Sequence, residues 1–343
     1  MSLIAATIDA FEGAPLPDVV RKTAITLLVA NARRQMKDAG PEANAAFARE
    51  MTERPIAEHT DAANAQHYEV PAEFFLNCLG PQLKYSSALY RNPGDTLAEA
   101  EEHGLRETAE HADLADGQHI LELGCGWGSL TLYMAERFPA ARITAVSNSA
   151  PQRRHIEQEA QRRGLVNVRI VTADMNDFDI AERFDRIVSE EMFEHMANWR
   201  TLLERARRWI SDDGRMFVHI FTHRTGCYRF DHDDPADWIG QHFFTGGIMP
   251  SHGLMRWFGD LFEVEEDWRW SGTHYKRTAD QWLANFDANS DRIEPILKDV
   301  YGSNAGLWRR RWRLFYLATS GLFGHKDGSE WGVSHYLLRP SGS

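Results

Sequence analysis

Ile120-Leu121-Glu122-Leu123-Gly124-Cys125-Gly126-Trp127-Gly128 is an apolar run that feeds straight into three alternating glycines. It reads as a strand turning sharply into a helix that begins near Ser129. Glycine has no Cβ, so such a turn can adopt positive φ and lets a ligand lie against backbone N–H groups at the helix N-terminus. A tight structural turn is the plainer alternative. The preceding strand, the acidic Glu122 and the helical pattern after Gly128 favour a nucleotide-type site.

The alternation continues on both sides. Leu97, Ala100, Leu105, Ala109 and Ala112 predict a helix over Thr96 to Ala115, and Asp116-Gly117 turns the chain into the glycine strand. Arg142-Ile143-Thr144-Ala145-Val146 reads as a second strand, followed by a helix from Gln152 to Arg163 that ends at Gly164. Val168-Arg169-Ile170-Val171 and Phe184-Asp185-Arg186-Ile187-Val188 read as strands three and four, Trp199 to Ile210 as a helix and Arg215 to Phe221 as strand five. Regular alternation predicts an α/β fold with a doubly wound parallel sheet and a ligand at the carboxyl ends of its strands. Beyond Phe221 the chain is rich in tryptophan, with strands predicted at Phe262 to Trp270 and Trp331 to Leu338 and helices near 278–298 and 305–320. At the other end, residues 17–38 and Pro41 to about Met51 read as helices of an N-terminal cap; a pocket wall or a homodimer contact is their alternative role.

Composition narrows the function. The 343 residues are 43% hydrophobic and 26% charged, the balance of a globular protein. A net charge of −12 argues against nucleic acid and against a stable hold on an anionic membrane, and suits a cationic or neutral small-molecule substrate. Cys78, Cys125 and Cys227 are scattered without metal-ligand spacing, so no zinc site is expected and a reduced, cytoplasmic location is. The apolar stretch Thr23 to Ala32 is too short to span a bilayer.

Spacing separates one nucleotide class from another. Gly124, Gly126 and Gly128 read G-x-G-x-G, with an acid two residues before the first glycine and no Walker Lys-Ser/Thr after it. This resembles motif I of the S-adenosylmethionine-dependent methyltransferases, whose cofactor carries an ammonium as well as a carboxylate. That likeness implies a Rossmann-like class I methyltransferase with a seven-stranded sheet, the two late strands forming its antiparallel end. The division expected is a cap and cofactor-covering loop over 1–95, a core over 96–224, and a substrate-roofing insertion with the last strands over 225–343.

The chemistry is expected just after strand four, at Ser189-Glu190-Glu191-Met192-Phe193-Glu194-His195-Met196. Read as a helix, this stretch puts Glu191, Glu194 and His195 at i, i+3 and i+4 on one face. The spacing fits neither H-E-x-x-H nor a ferritin-like pair, so no metal is expected. A solvated helix start and a polar pocket floor remain the two readings. In a pocket, the cluster would orient an ammonium and accept its proton.

Over nearly all of its length the chain resembles the cyclopropane fatty acid synthase superfamily, and within it the coclaurine N-methyltransferase-like branch. The likeness rests on Gln66-His67-Tyr68-Glu69-Val70-Pro71, Lys84-Tyr85-Ser86-Ser87, the glycine turn and Glu191-Met192-Phe193-Glu194-His195-Met196. It rests also on Phe243-Phe244-Thr245-Gly246-Gly247 and Gly272-Thr273-His274-Tyr275. It implies methylation of the nitrogen of a hydrophobic aromatic amine, with cyclopropanation or C-methylation of unsaturated acyl chains as the alternative. By matching motif, Tyr85, Ser86, Glu122, Gly124 and Gly126 would hold the amino-acid end of S-adenosylmethionine, Asn148 and Gln152 the ribose, and Asp174 and Met175 the adenine. Phe221, Phe244 and Tyr275 would be pocket walls. The lipid-modifying branch resembles itself in a bicarbonate site. Glu194, His219 and Tyr275 match it here, but Ser87 stands where that site has a cysteine, and Glu191 replaces a small or apolar residue. These departures move the expectation toward amines.

Overall fold

The computed structural model describes residues 12, 14, 16–36, 39–59, 70–234 and 237–342. Gln66, His67, Tyr68 and Glu69 therefore lie outside the described residues. Five apolar runs satisfy their backbone groups by pairing in parallel: β1 (His119–Leu123), β2 (Arg142–Ser147), β3 (Val168–Thr172), β4 (Phe184–Glu190) and β5 (Ile210–His223). A short antiparallel pair follows, β6 (Tyr228–Arg229) with β7 (Ile248–Met249). β8 (Phe262–Ser271) and β9 (Trp331–Pro340) then complete a seven-stranded sheet of order β3-β2-β1-β4-β5-β9-β8, in which β9 runs antiparallel to both neighbours. The order reverses between β1 and β4, which opens a crevice at their carboxyl ends.

β5 starts at Ile210, not at Arg215 as its pattern predicts, because the polar Asp212-Asp213-Gly214 segment is carried within the strand across a register shift against β4. The helices of the core begin and end on local signals. Thr96 and Glu99 form a reciprocal capping box at the start of Leu97–His111. Asn198 caps Trp199–Trp209, and left-handed Gly164 closes Ala150–Arg163.

The predicted helix over Ser189 to Met196 is not formed. β4 instead continues through Glu190, Glu191 has φ 45°, and Phe193–His195 is a single 3₁₀ turn. Pairing on both sides decides this: Ser189 lies against Leu123 of β1 and Glu190 against His219 of β5, so the ladder holds these residues extended.

Three helices stand between β8 and β9, namely Gly272–Ala288, Ser290–Tyr301 and Ala305–Phe323. They bury an aromatic cluster with Phe74, Phe75, Phe243, Trp282, Trp312, Phe315 and Tyr316 at its centre, each such side chain contributing about 1.5–3 kcal/mol of burial. No helix among the described residues is long and apolar enough to cross a membrane.

The helix Gly272–Ala288 leaves the sheet through a crossing that only glycine fits. A Cβ on Gly272 would stand 2.2 Å from both the Phe323 and Trp331 carbonyl oxygens. Gly272→Ala is expected to lower the unfolding free energy by about 3 kcal/mol, the upper end for overpacking. Urea denaturation checks this.

Candidate functional site

One cavity lies at the carboxyl ends of β1, β2 and β4, and the loops after these strands build most of its wall. The glycine turn is its first side. Gly124 and Gly126 have φ of 81° and 50°. A Cβ on Gly124 would meet Met192 Cγ at 2.5 Å, whereas one on Gly126 would meet nothing within 4 Å and would project into open space. Gly124 is thus needed for packing, and Gly126 leaves room for a ligand against the backbone. Beneath the turn, Glu122 is 2% exposed and accepts a 2.5 Å hydrogen bond from Thr131 Oγ1. Burial, reinforced by Glu190, pushes its carboxyl up to about 8 despite the Thr131 bond. An ammonium brought against it would favour ionisation again.

Asn148, Gln152, Asp174 and Met175 line the far side. Gln152 is already engaged, since its Oε1 accepts a 2.7 Å bond from Ser147 Oγ. Asp174 also forms a turn of its own by accepting from the Asn176 N–H at 2.7 Å.

The loop over residues 80–87 lines another side of the cavity with Leu83, Tyr85 and Ser86. Glu101, fully buried, accepts from the Gly80 and Gln82 N–H groups at 3.1 and 2.9 Å and fixes the start of this loop. Lys84 then reaches inward to Glu190 in a buried ion pair. Lys84 also donates to Ser86 Oγ at 2.6 Å and to the Ser87 carbonyl at 2.7 Å, and Ser86 Oγ donates to Glu190 at 2.7 Å. Burial acts to raise the Glu190 carboxyl, but Lys84, His219 and the bonds from Lys84 and Ser86 outweigh it and hold it below the usual value. Neither Lys84 nor Glu190 was assigned a role from sequence. The signal available was a tandem Glu-Glu at a strand end and a lysine among apolar residues.

The three residues expected to be catalytic are brought together, although not on a helix. Glu191, Glu194 and His195 all line the cavity with Tyr85, Ser86, Phe244 and Tyr275. The Glu191 carboxylate accepts from Tyr275 OH at 2.7 Å and from the Ser87 N–H at 3.1 Å, and lies 3.4 Å from His219 Nε2. Its left-handed backbone is held by its own N–H, which donates to the His219 carbonyl at 2.8 Å. A non-glycine residue in this conformation, fixed by its surroundings, is typical of functional sites. Glu194 is 1% exposed, and among the described residues neither carboxylate oxygen has a well-formed hydrogen bond, although the N–H groups of Glu194 and Phe221 face the carboxyl. Burial, with Glu191 next in effect, raises its carboxyl well above the usual range. His195 stacks on Phe244, ring centroids 4.9 Å apart. Three residues expected in the pocket stand behind it. Ser87 and His219 touch Glu191 from outside, and Phe221 packs edge-on against Phe244 at 5.5 Å.

A glycine turn at a strand-order reversal, with a buried acid beneath it and a second buried carboxyl opposite, is the arrangement expected of a class I methyltransferase. The protein is an S-adenosylmethionine-dependent methyltransferase. It belongs to the mycolic acid cyclopropane synthetase family, which residues 57–326 match. It is 36% identical over 294 residues to (S)-coclaurine N-methyltransferase of Thalictrum flavum subsp. glaucum, covering 84% of this chain and 81% of that one. Its structure resembles coclaurine N-methyltransferase bound to N-methylheliamine and SAH, with TM-score 0.92 and 34% identity over 98% of this chain and 100% of the other. The cyclopropane-fatty-acyl-phospholipid synthase of Escherichia coli (strain K12) is 30% identical over 78% of this chain and 66% of its own length.

Two outcomes test the site. Lys84→Met leaves a buried carboxylate unpaired and is expected to cost about 3–5 kcal/mol of stability near pH 7. Glu190 has a depressed carboxyl, so the ion-paired contribution is present above its ordinary value of 4.5 and is lost as the pH falls below it. The gap between the two proteins should therefore narrow on acidification, as denaturant titrations at several pH values would reveal. Gly126→Val fills the open face of the turn and is expected to abolish S-adenosylmethionine binding in calorimetry; retained affinity would mean that the turn is only structural.

Proposed function

We propose that this protein transfers the methyl group of S-adenosylmethionine to the nitrogen of a hydrophobic aromatic amine of the tetrahydroisoquinoline type, a small diffusible substrate met in the cytoplasm. The observation that carries the reading is Glu194, a buried carboxyl whose oxygens lack a well-formed hydrogen bond among the described residues. It stands beside a second carboxylate on the cavity floor. Buried polar groups are normally paired, and a protonated amine supplies both the donors and the charge that this floor lacks. Phe244, Tyr275 and Phe315 give the same cavity an aromatic lining that suits rings and attracts cations. The identity to (S)-coclaurine N-methyltransferase supports the same class of acceptor.

Tyr85, Ser86, Glu122, Gly124 and Gly126 would hold the amino-acid end of the cofactor, Asn148 and Gln152 the ribose, and Asp174 with Met175 the adenine. S-adenosylmethionine supplies an electrophilic methyl group on a sulfonium. An ammonium has no lone pair to attack it, so the chain's task is to bind the cation, take one proton and aim the freed nitrogen. Glu191, fixed by Tyr275 and Ser87, orients the amine. Glu194, a stronger base than an ordinary glutamate once ionised, accepts the proton, and His195 beside it passes the proton on. Rigid placement of the nitrogen carries the rest of the rate.

The acyl alternative is weakened by the same geometry. Of the positions that resemblance assigns to a bicarbonate site, Ser87, His219 and Tyr275 all meet the carboxylate of Glu191. A side chain of the protein thus takes the contacts that an exchangeable base would need.

Glu191→Ala and His195→Ala are each expected to lower kcat by about 10²-fold or more while S-adenosylmethionine affinity stays nearly constant. The reaction class is tested with deuterated-methyl S-adenosylmethionine offered to one pool of tetrahydroisoquinoline and phenethyl-type amines and one of unsaturated phospholipids. Mass spectrometry should find label on amine nitrogen; label in acyl chains would overturn the proposal.

A further inference from the structure

Behind Glu191, outside the cavity, three histidines far apart in sequence form a continuous chain. His219 Nε2 lies 3.4 Å from Glu191 Oε1, His219 Nδ1 lies 2.9 Å from His335 Nε2, and His335 Nδ1 lies 2.8 Å from His111 Nδ1. His219 and His335 face each other on β5 and β9 and are both fully buried. His111 ends the helix Leu97–His111 and stacks on Trp268 of β8 with centroids 3.8 Å apart. It lines a polar surface cleft with Glu110, Asp113, Arg186 and Glu266. Trp270 and Phe217 sheathe the middle of the chain, their rings 4.4 and 5.0 Å from that of His335. Methyl transfer as derived above uses neither His335 nor His111. In such an apolar sheath, imidazole nitrogens are kept only if each has a partner.

The chain has one consistent direction when Glu191 is a carboxylate. A carboxylate only accepts, so a neutral His219 must carry its proton on Nε2. Its Nδ1 is then an acceptor and requires the Nε2–H of His335. The Nδ1 of His335 becomes an acceptor in turn and requires the Nδ1–H of His111. Burial, followed by His219 and His111, holds the imidazole of His335 well below its ordinary value, which keeps it neutral as this pattern needs. There is a competitor for the proton: Glu190 Oε1 is 3.9 Å from the same His219 Nδ1. Were that nitrogen to carry the proton, a lone pair on Nε2 would face Glu191.

We propose that His335 and His111 are positioning residues for methyl transfer, locking His219 as the Nε2–H donor that orients the Glu191 carboxylate toward the amine. This rests on the assignment of Glu191 made above. The charged groups facing the chain are Glu107 and Glu110 on the His111 helix, Glu266 on β8, Lys84 on the loop over residues 80–87, and Glu190 and Glu191 at the end of β4.

The test compares His335→Phe, which fills the space but removes both nitrogens, with His335→Gln, whose amide can still donate toward His219. His111→Leu and His111→Gln form a second pair at the half-buried end, and Glu191→Ala is run beside them. Melting temperature and calorimetric S-adenosylmethionine affinity serve as controls. His335→Phe should lower kcat about 10²-fold and His111→Leu about tenfold, within the range for groups that set a catalytic tautomer. Both should leave KM for the amine nearly unchanged, because a misdirected carboxylate slows transfer more than it weakens binding. The glutamine variants should recover most of kcat. Wild-type kcat in His335→Phe and His111→Leu, with Glu191→Ala slow, would sink the histidine chain alone. Normal turnover in Glu191→Ala would remove the assignment of Glu191 and the chain with it. If His335→Phe fails to fold, His111→Leu decides by itself, and an unchanged kcat there, or no recovery in His111→Gln, overturns the proposal.

Discussion

A buried charge must be met by an opposite one, and the ion pair between Lys84 and Glu190 is where this molecule satisfies that demand. The pair joins two parts of the chain that are 106 residues apart. Lys84 belongs to a loop that lines the cavity, and Glu190 is the last residue of β4. Because Lys84 also bonds Ser86 and Ser87, the loop cannot shift without disturbing the Ser87 N–H that holds Glu191. Glu101 anchors the other end of the loop from the helix that also carries His111. The glycine turn and the wall that carries Glu191 are therefore one mechanical unit, braced by Met192 packed against Gly124.

Within that unit, similar carboxyls behave differently because their neighbours differ. Glu122 is raised by burial, Glu190 is held down by Lys84, and Glu194 is raised by burial and by the adjacent carboxylate. One cavity thus holds two carboxyls that burial keeps toward the neutral form and one that a lysine keeps ionised. Separation of carboxyls by environment is how a single site assigns binding and proton transfer to the same residue type.

The core of the fold was legible because local signals agree with the tertiary outcome. The glycine turn, the apolar strands and the cap and stop residues at Thr96, Asn198 and Gly164 each specify their element within a few residues of sequence. The stretch after β4 was misread because Glu191, Glu194 and His195 happen to fit a helical period, whereas pairing to β1 and β5 holds Glu190 extended and leaves only a 3₁₀ turn. The trio still converges on the cavity, so the grouping of these residues was readable where its geometry was not. Lys84 and Glu190, and His111 and His335, were invisible for another reason. Their partners are up to 224 residues away, and no periodicity reports a contact made only in the folded chain.

The strand of this sheet that comes last in chain order, β9, lies in its interior between β5 and β8. While the chain is still emerging from a ribosome, the first five strands can pair, since folding during synthesis proceeds from the N-terminus. β5, however, has an unpaired edge and His219 has no His335 beside it until β9 is in place. The wall that carries Glu191 is thus completed only when β9 inserts, and a chain lacking this one strand would hold a glycine turn with an unfinished centre beside it.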